Sequence, residues 1–350
     1  MNIFSIKGVE IEGIASCVPS NIVENRNCTD IYTKEDIEVV IKNTKIEQRR
    51  IVDSDVCASD LGYKAANYLL ESLSVDKSEI SGIVFLSQTP DYKIPFTSNI
   101  LQHRLGLDNK CLCLDLNAGC NGFISGLGTS FSLMKSQKKG KILFIIAETM
   151  SKIVSKTDKA TSVIFGDAAS VLLLKNTDAE NSSYFSNYSD GKLFETLIIP
   201  DGGYRNVFNK DSLENKEYEG GSIRNNTELY MDGFGVFVFT KKRVPICVAE
   251  INEYANYNVE DIDYFIFHQA NDFLIQQFLK KLNIPQEKNL MNIDRFGNTS
   301  GVSIPLVITT ELIDKKNRET VHCCGYGSGL AWGSAILNMK NTKILNLIEY

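Results

Sequence analysis

Residues Asp115–Phe123 read DLNAGCNGF. The stretch follows the apolar CLCL of Cys111–Leu114 and precedes ISGLGTSFSLMK (Ile124–Lys135), so one cysteine, Cys120, stands between glycines where a strand gives way to a helix. A thiolate is the nucleophilic form of cysteine, and a free thiol with a pKa of about 8.5 is mostly protonated at neutral pH. The first turn of a helix offers unpaired N–H groups and the positive end of the dipole, and both favour the anion. Gly119 and Gly122 permit a sharp turn and a close approach of backbone or substrate. The N–H groups of the same turn point outward, where they can hold an oxyanion. Alone, the pattern also fits a buried structural cysteine.

Working outward, apolar runs alternate with helical spacing. GIVFLS (Gly82–Ser87) follows a helix pattern carrying Leu61, Ala65, Leu69 and Leu73 on one face. After CLCLDL (Cys111–Leu116), Phe123, Leu127, Phe131 and Met134 recur at helical intervals. KILFIIAE (Lys141–Glu148) and TSVIFGDAASVLLLK (Thr161–Lys175) read as further strands. Runs this apolar on both faces belong in the middle of a sheet covered by helices. The second half repeats the plan. A helix over about 246–257 leads to DYFIFHQA (Asp263–Ala270), then a helix with Leu274, Phe278 and Leu282. NLMNIDRFGNTSG (Asn289–Gly301) reads as a strand and a turn, and TVHCC, GYGSGL and AWGSAIL close the plan. Gln88 to Cys120 and Gln269 to Asn298 are nearly equal intervals, which predicts an α/β chain built from two duplicated mixed-sheet halves, 1–182 and 183–350. Between them, PDGGYRNVFNKDSLENKEYEGGSIRNN (Pro200–Asn226) lacks periodicity and reads as a long surface loop, about 200–226.

The chain has 350 residues, 43% of them hydrophobic, enough for a large core, and a net charge of -6 that argues against non-specific nucleic-acid binding. The start, MNIFSIKGVEIEGIASCVP, is broken by Lys7, Glu10 and Glu12 and does not read as a signal peptide. No run approaches a membrane span. The expectation is a soluble, cytoplasmic protein with no membrane or nucleic-acid partner. Nine cysteines without a CxxC pair argue against a zinc ribbon, and most of them read as small buried side chains.

Of the three histidines, His103 reads as a surface or packing residue and His322, inside an apolar strand, as a satisfied core histidine. His268 differs: it ends a strand and heads HQAN, which opens a helix. In open α/β sheets ligands bind at the carboxyl ends of strands. Asn298, in RFGNTSG, reads as ending another strand, so Cys120, His268 and Asn298 form a candidate Cys/His/Asn site.

DLNAGCNGF, FGDAAS, HQAN, FGNTSGVSIP and GYGSGLAWGSAI together resemble, in order and spacing, the signature of the β-ketoacyl-acyl-carrier-protein synthase III family. The resemblance implies a thiolase-like fold in layered α-β-α-β-α arrangement. It implies that Cys120 takes an acyl group from a thioester, acyl-CoA or acyl-carrier protein. It further implies that His268 and Asn298 hold the thioester oxygen of malonyl-carrier protein during decarboxylative condensation. Backbone N–H groups of Cys120 and of the turn at Gly327, Ser328 and Gly329 would hold the oxyanion, and Phe123 would wall the pocket. Ser300 and Thr299 are expected to cap the next helix, and Asp167 to secure backbone. A homodimer is implied, with Ile94 standing where the family places a bulky aromatic from the partner subunit, which would favour acyl groups longer than acetyl. No metal or redox cofactor is implied.

The chain also departs from the family. Where coenzyme-A-using members carry a Trp and an Arg that grip the adenine end, it has Val39 and Asn43. The basic residue before FGD remains, as Lys159, and an Arg that helps dock carrier protein is replaced by Phe273. These departures leave the primer's carrier open. They also raise an alternative reading, an acyltransferase that passes the Cys-bound acyl group to an amine, a hydroxyl or an unusual acceptor.

Overall fold

The computed structural model describes residues 2–179 and 181–350. One sheet has seven strands. Six run in the order Lys343–Ile344, Val9–Val18, Asp167–Asn176, Lys141–Thr149, Ile80–Leu86 and Leu112–Leu116, and Ile348–Glu349 pairs beside the first of them on Val9–Val18. The other sheet has five strands, ordered Ile3–Lys7, Ser182–Ser189, Ala331–Asn338, Thr320–Gly327 and Tyr264–Phe267. The middle of each sheet follows one pattern, antiparallel pairs leading to a parallel pair. The ends of the chain cross over. The first strand joins the second sheet and the last two join the first, so the termini do not respect a division at residue 182.

Two helical segments lie between the sheets. Gly122–Ser136 and the run from Ser303 to Leu312 bury Phe123, Leu127, Phe131, Ile304, Leu306 and Ile308 against Phe144 and Leu172 of one sheet and Phe185 and Ile266 of the other. A helix apolar all round is stable only when covered on all sides. The outer face of the first sheet is covered by Ala58–Ser72 through Leu61, Ala65 and Leu69. The outer face of the second is covered by Gly233–Ala255 and Asp272–Leu282 through Val248, Ile251, Ile275 and Phe278. The result is five layers, α-β-α-β-α. No helix among the described residues is long and apolar enough to cross a membrane.

Several local expectations change. Cys111–Leu116 is not in the middle of its sheet: Leu112–Leu116 is the edge strand, and Leu112 is 41% exposed. NLMN forms no strand. Asn289 makes a single bridge to Phe265, and Ile293–Phe296 is a short helix. The Asn292 backbone N–H is taken by Gln269 Oε1 (3.2 Å) and not by a neighbouring strand. Asn298 therefore ends no strand. Thr161–Ile164 is turn, Phe165 makes a single bridge to Asn298, and the strand starts at Asp167. The helix read as 246–257 begins at Gly233, where Asp232 caps it by accepting from the Gly235 N–H (2.9 Å), and it carries Pro245 inside. The 200–226 excursion is mostly exposed, as expected, but holds a hairpin, Lys216–Tyr218 with Ser222–Arg224. The Arg224 guanidinium, stacked between Tyr218 (3.6 Å) and Tyr230 (4.7 Å), anchors it.

His322 is buried but not satisfied. Neither ring nitrogen has a hydrogen-bond partner among the described residues, and the ring stacks on Phe265 at 5.2 Å. Burial pushes the imidazole down to about 3. The unfolded chain takes up this proton near 6.5, before the folded chain does. The stability present above 6.5 is therefore lost as pH falls toward 3. His322→Leu is expected to make the acid loss of stability shallower, with neutral-pH stability kept or raised because two orphaned polar atoms are removed. Denaturant unfolding at pH 7 and pH 5 measures this, and an unchanged difference between the two pH values would refute it.

Candidate active site

Two glycine-containing loops deliver Asn298. Its backbone N–H donates to Ile164 O (2.9 Å), and its carbonyl accepts from the Gly166 N–H (3.1 Å), so the FGD and FGN loops zip together. Gly297 sits at φ +63°, and a Cβ there would stand 2.6 Å from Ile164 O, so only glycine allows this approach. Asp167 accepts from the N–H groups of Val52 and Ser151, both at 2.9 Å, and from Ser151 Oγ. It secures backbone, as expected.

Cys120 stands two residues before the helix Gly122–Ser136, with Asn121 at the N-cap, and is 5% exposed. The second sheet reaches it directly: a Cβ on Gly327 would lie 2.8 Å from Cys120 Sγ, so the backbone of that strand packs on the sulfur. The N–H groups of Ser328 and of Cys120 itself stabilise the sulfur anion. Burial nevertheless wins. Desolvation, with a smaller push from the Glu148 carboxyl, drives the thiol up to about 11. The helix start does not make a resting thiolate, contrary to the sequence expectation, because withdrawal from water costs the anion more than the N–H groups return.

Ser300 joins this cysteine to Asn298. It does not cap a helix; it sits at φ +50° with its hydroxyl 3.9 Å from Cys120 Sγ. Its backbone N–H donates to Asn298 Oδ1 (2.9 Å). That bond fixes the carboxamide and leaves Nδ2 as its free donor. Thr299 caps nothing either, and its buried hydroxyl has no partner.

His268 follows the strand Tyr264–Phe267 and is anchored by its N–H to Cys324 O (2.8 Å). Its ring lies edge-on to Tyr326, the residue before Gly327, at 5.3 Å. Burial alone pushes the imidazole down to about 3, so it is neutral at physiological pH. Nδ1 lies 2.7 Å from Ser303 Oγ, which also receives the Gln269 N–H (3.5 Å). A neutral ring that accepts the Ser303 hydroxyl proton at Nδ1 carries its own proton on Nε2 as a donor. Nε2 has no protein partner among the described residues.

Not every expected residue converges. Phe123 is fully buried in the layer between the sheets, among Leu127 and Phe131, as a packing residue. Ile94 is 80% exposed. Gly329, at φ +132°, continues the turn behind Ser328. A cavity of about 940 Å³ lies elsewhere, lined by Cys28, Arg49, Lys152 and Lys156 among others, and does not include Cys120, His268 or Asn298. Among the described residues, no group of three or more His, Cys, Asp or Glu side chains could hold a metal ion.

Sequence reasoning missed four residues: Gln88, Glu148, Ser300 and Ser303. Glu148 is fully buried and burial pushes its carboxyl up to about 8. It accepts from the Gln88 N–H (3.1 Å) and Thr89 Oγ1 (2.8 Å), which sets the strand end carrying Gln88. The readable signal for Ser303 was its place three residues after Ser300, one helical turn on. Nothing local marked the other three.

Comparison with known proteins adds independent findings. Residues 114–191 match the family model of 3-oxoacyl-[acyl-carrier-protein] synthase III, and residues 253–339 match the model of its C-terminal part. A Rhodopirellula baltica protein named beta-ketoacyl-[acyl-carrier-protein] synthase III is 34% identical over 95% of this chain and 99% of its own. A Staphylococcus epidermidis protein named beta-ketoacyl-[acyl-carrier-protein] synthase III 2 is 34% identical over 91% and 95%. The crystal structure of a 3-oxoacyl-(acyl-carrier protein) synthase from Burkholderia xenovorans superimposes with a TM-score of 0.92, at 34% identity, over 99% of both chains.

The raised thiol predicts how Cys120 reacts with a neutral alkylating agent. Labelling by iodoacetamide, followed by peptide mass spectrometry, is expected to quicken about tenfold per pH unit from pH 7 to 10. A rate already level at pH 7 would mean a standing thiolate and would contradict the dominance of burial.

Proposed function

The chain belongs to the 3-oxoacyl-[acyl-carrier-protein] synthase III family of acyl-transferring condensing enzymes, and from that premise we propose how its residues divide the work. Cys120 attacks the carbonyl carbon of an acyl thioester. The carbon–sulfur bond to the carrier breaks, and the departing carrier sulfur takes the thiol proton. Sγ ionises only with substrate in place, when the N–H groups of Cys120 and Ser328 share the developing charge. Malonyl-carrier protein then binds with its thioester oxygen between His268 Nε2–H and Asn298 Nδ2–H. Loss of carbon dioxide leaves an enolate whose charge falls on that oxygen. Two neutral donors lower the barrier without delivering a proton too early. The carbanion attacks the acyl-Cys120 carbonyl, the two backbone N–H groups hold the tetrahedral oxyanion, and Cys120 leaves as thiolate. A single hard condensation becomes two easier steps. One observation carries the reading: Ser300, with its N–H on Asn298 Oδ1 and its hydroxyl 3.9 Å from Cys120 Sγ. The matches favour carbon–carbon bond formation over transfer to an amine or hydroxyl.

The primer is proposed to arrive on carrier protein. Val39 and Asn43 are exposed on the helix Lys34–Thr44 and offer neither ring stacking nor charge to a nucleotide. The hairpin at residues 216–224 crowds Lys159: its backbone N–H donates to Ser222 Oγ (3.1 Å), and Gly221 lies against its ammonium group. For docking, exposed Lys280 and Lys281 end the helix Asp272–Leu282, and exposed Lys241 and Lys242 lie on the helix packed beside it. Between these helices Phe273 stacks on Phe237 at 6.1 Å, and the Lys241 ammonium lies over the Phe237 ring at 5.6 Å. Basic side chains on two helices beside an aromatic pair suit an acidic carrier. A homodimer is proposed across the edge strand Leu112–Leu116, where exposed Tyr92, Ile94 and Phe96 would meet a second copy. A cytoplasmic location is supported by nine unpaired cysteines.

Cys120→Ala is expected to abolish acyl loading, read by intact mass. His268→Ala and Asn298→Ala are expected to spare loading and to lower carbon dioxide release from malonyl-carrier protein by about a hundredfold or more. Loading lost in His268→Ala, with decarboxylation retained, would overturn the division of roles. Lys280→Glu with Lys281→Glu is expected to raise KM for malonyl-carrier protein severalfold, most at low salt, with loading from a small pantetheine thioester unchanged. An unchanged KM would remove this docking face.

A further inference from the structure

The mechanism leaves one polar group at the nucleophile unused. Gln88 follows the strand Ile80–Leu86, and its carboxamide is held from two sides. Nε2 donates to Ser328 Oγ (3.0 Å), and Oε1 accepts from Ser300 Oγ (3.4 Å). Ser300 is the residue whose hydroxyl stands 3.9 Å from Cys120 Sγ, and Ser328 supplies an N–H to the same sulfur. Gln88 and Ser328 also press on the residue before the nucleophile. A Cβ on Gly119 would lie 2.3 Å from Gln88 Oε1 and 2.6 Å from Ser328 Oγ, so Gly119 is the space these groups occupy. The strand end itself is held by the Glu148 carboxyl on the Gln88 N–H.

A carboxamide has two donor hydrogens and two acceptor lone pairs. Here one of each is spent on protein, and the second N–H and the second lone pair have no partner among the described residues. Gln88 is only half-buried, and in the proposal that follows these sites lie where an acyl group enters beside Cys120. A plain alkyl chain placed there would strip water from them and return nothing. A hydroxyl on the second or third carbon of the acyl group can donate to Oε1 and accept from Nε2, replacing that water in kind. A site built to hydrogen-bond a substrate group discriminates against the analogue lacking it, because its own polar atoms are left unpaired.

We propose that the Gln88 carboxamide, fixed between Ser328 and Ser300 beside Cys120, selects a hydroxyl-bearing acyl group over an alkyl chain of the same length. This rests on Cys120 being the acyl-accepting residue. A competing role is that Gln88 only props the Ser328 turn. A prop would affect every acyl donor alike, whereas a reading group changes the ratio between donors.

The test is the rate of acyl-Cys120 formation, by intact mass, on the full-length enzyme with pantetheine thioesters of butyrate and of each 3-hydroxybutyrate enantiomer. The wild-type enzyme is expected to load one hydroxyacyl enantiomer about five- to tenfold faster than butyryl, the size of one hydrogen bond. Gln88→Leu is expected to bring that ratio near one by slowing the hydroxyacyl donor while butyryl loading holds or rises. Gln88→Asn and Ser328→Ala, with thermal unfolding as the fold check, are expected to fall between. Equal wild-type rates overturn the proposal without any variant. An unchanged ratio in Gln88→Leu with all rates lowered assigns the residue to propping and also overturns it. Loading of the donors on a residue other than Cys120 refutes the underlying function, and this proposal with it.

Discussion

The site depends on a contact with no room for a side chain, the backbone of Gly327 lying against the sulfur of Cys120. Cys120 belongs to the first half of the chain and Gly327 to the second. The contact therefore exists only when both sheets close on the helices between them. It places the Ser328 N–H at the sulfur, Tyr326 against the His268 ring, and the Ser328 hydroxyl within reach of Gln88. The close packing that brings donors to the sulfur also excludes water from it.

Two opposing effects act on that sulfur, and their relative size decides its state. The Ser300 hydroxyl and the backbone N–H groups of Cys120 and Ser328 favour the anion, while near-complete burial disfavours it more and drives the thiol up to about 11. The same dryness keeps His268 neutral, which suits a donor that must not surrender its proton early. Ser303 is the hydrogen-bond partner at Nδ1 on which the tautomer turns. The groups proposed for catalysis are thus set by the absence of solvent and by hydroxyl partners, without a charged neighbour next to the imidazole.

Duplication explains why the site has contributors from two halves and why the halves are not equivalent. In the first, the strand Leu112–Leu116 leads into the nucleophile turn. In the second, the corresponding stretch is reduced to the Asn289–Phe265 bridge and a short helix, so Asn298 arrives on a loop. That loop is held by pairing with the FGD turn of the first half. The exchanged terminal strands bind the halves into one body.

The alternation of apolar runs with helical spacing made the α/β duplication legible, because hydrophobic periodicity is a local property that sheets and helices must both satisfy. The turn at Cys120, the strand end at His268 and the ordered motifs were legible for the same reason. Strand boundaries in NLMN were not, since the Asn292 N–H goes to the side chain of Gln269, distant in sequence, and not to a ladder. Nor was the start of the helix at Gly233, where glycine and an internal proline hide the period. The nucleophile's ionisation, the tautomer of His268 and the roles of Gln88, Glu148, Ser300 and Ser303 were decided only by tertiary structure. Each depends on burial or on a hydrogen bond between residues far apart along the chain, and no local pattern encodes how much water remains around a group once the layers have closed.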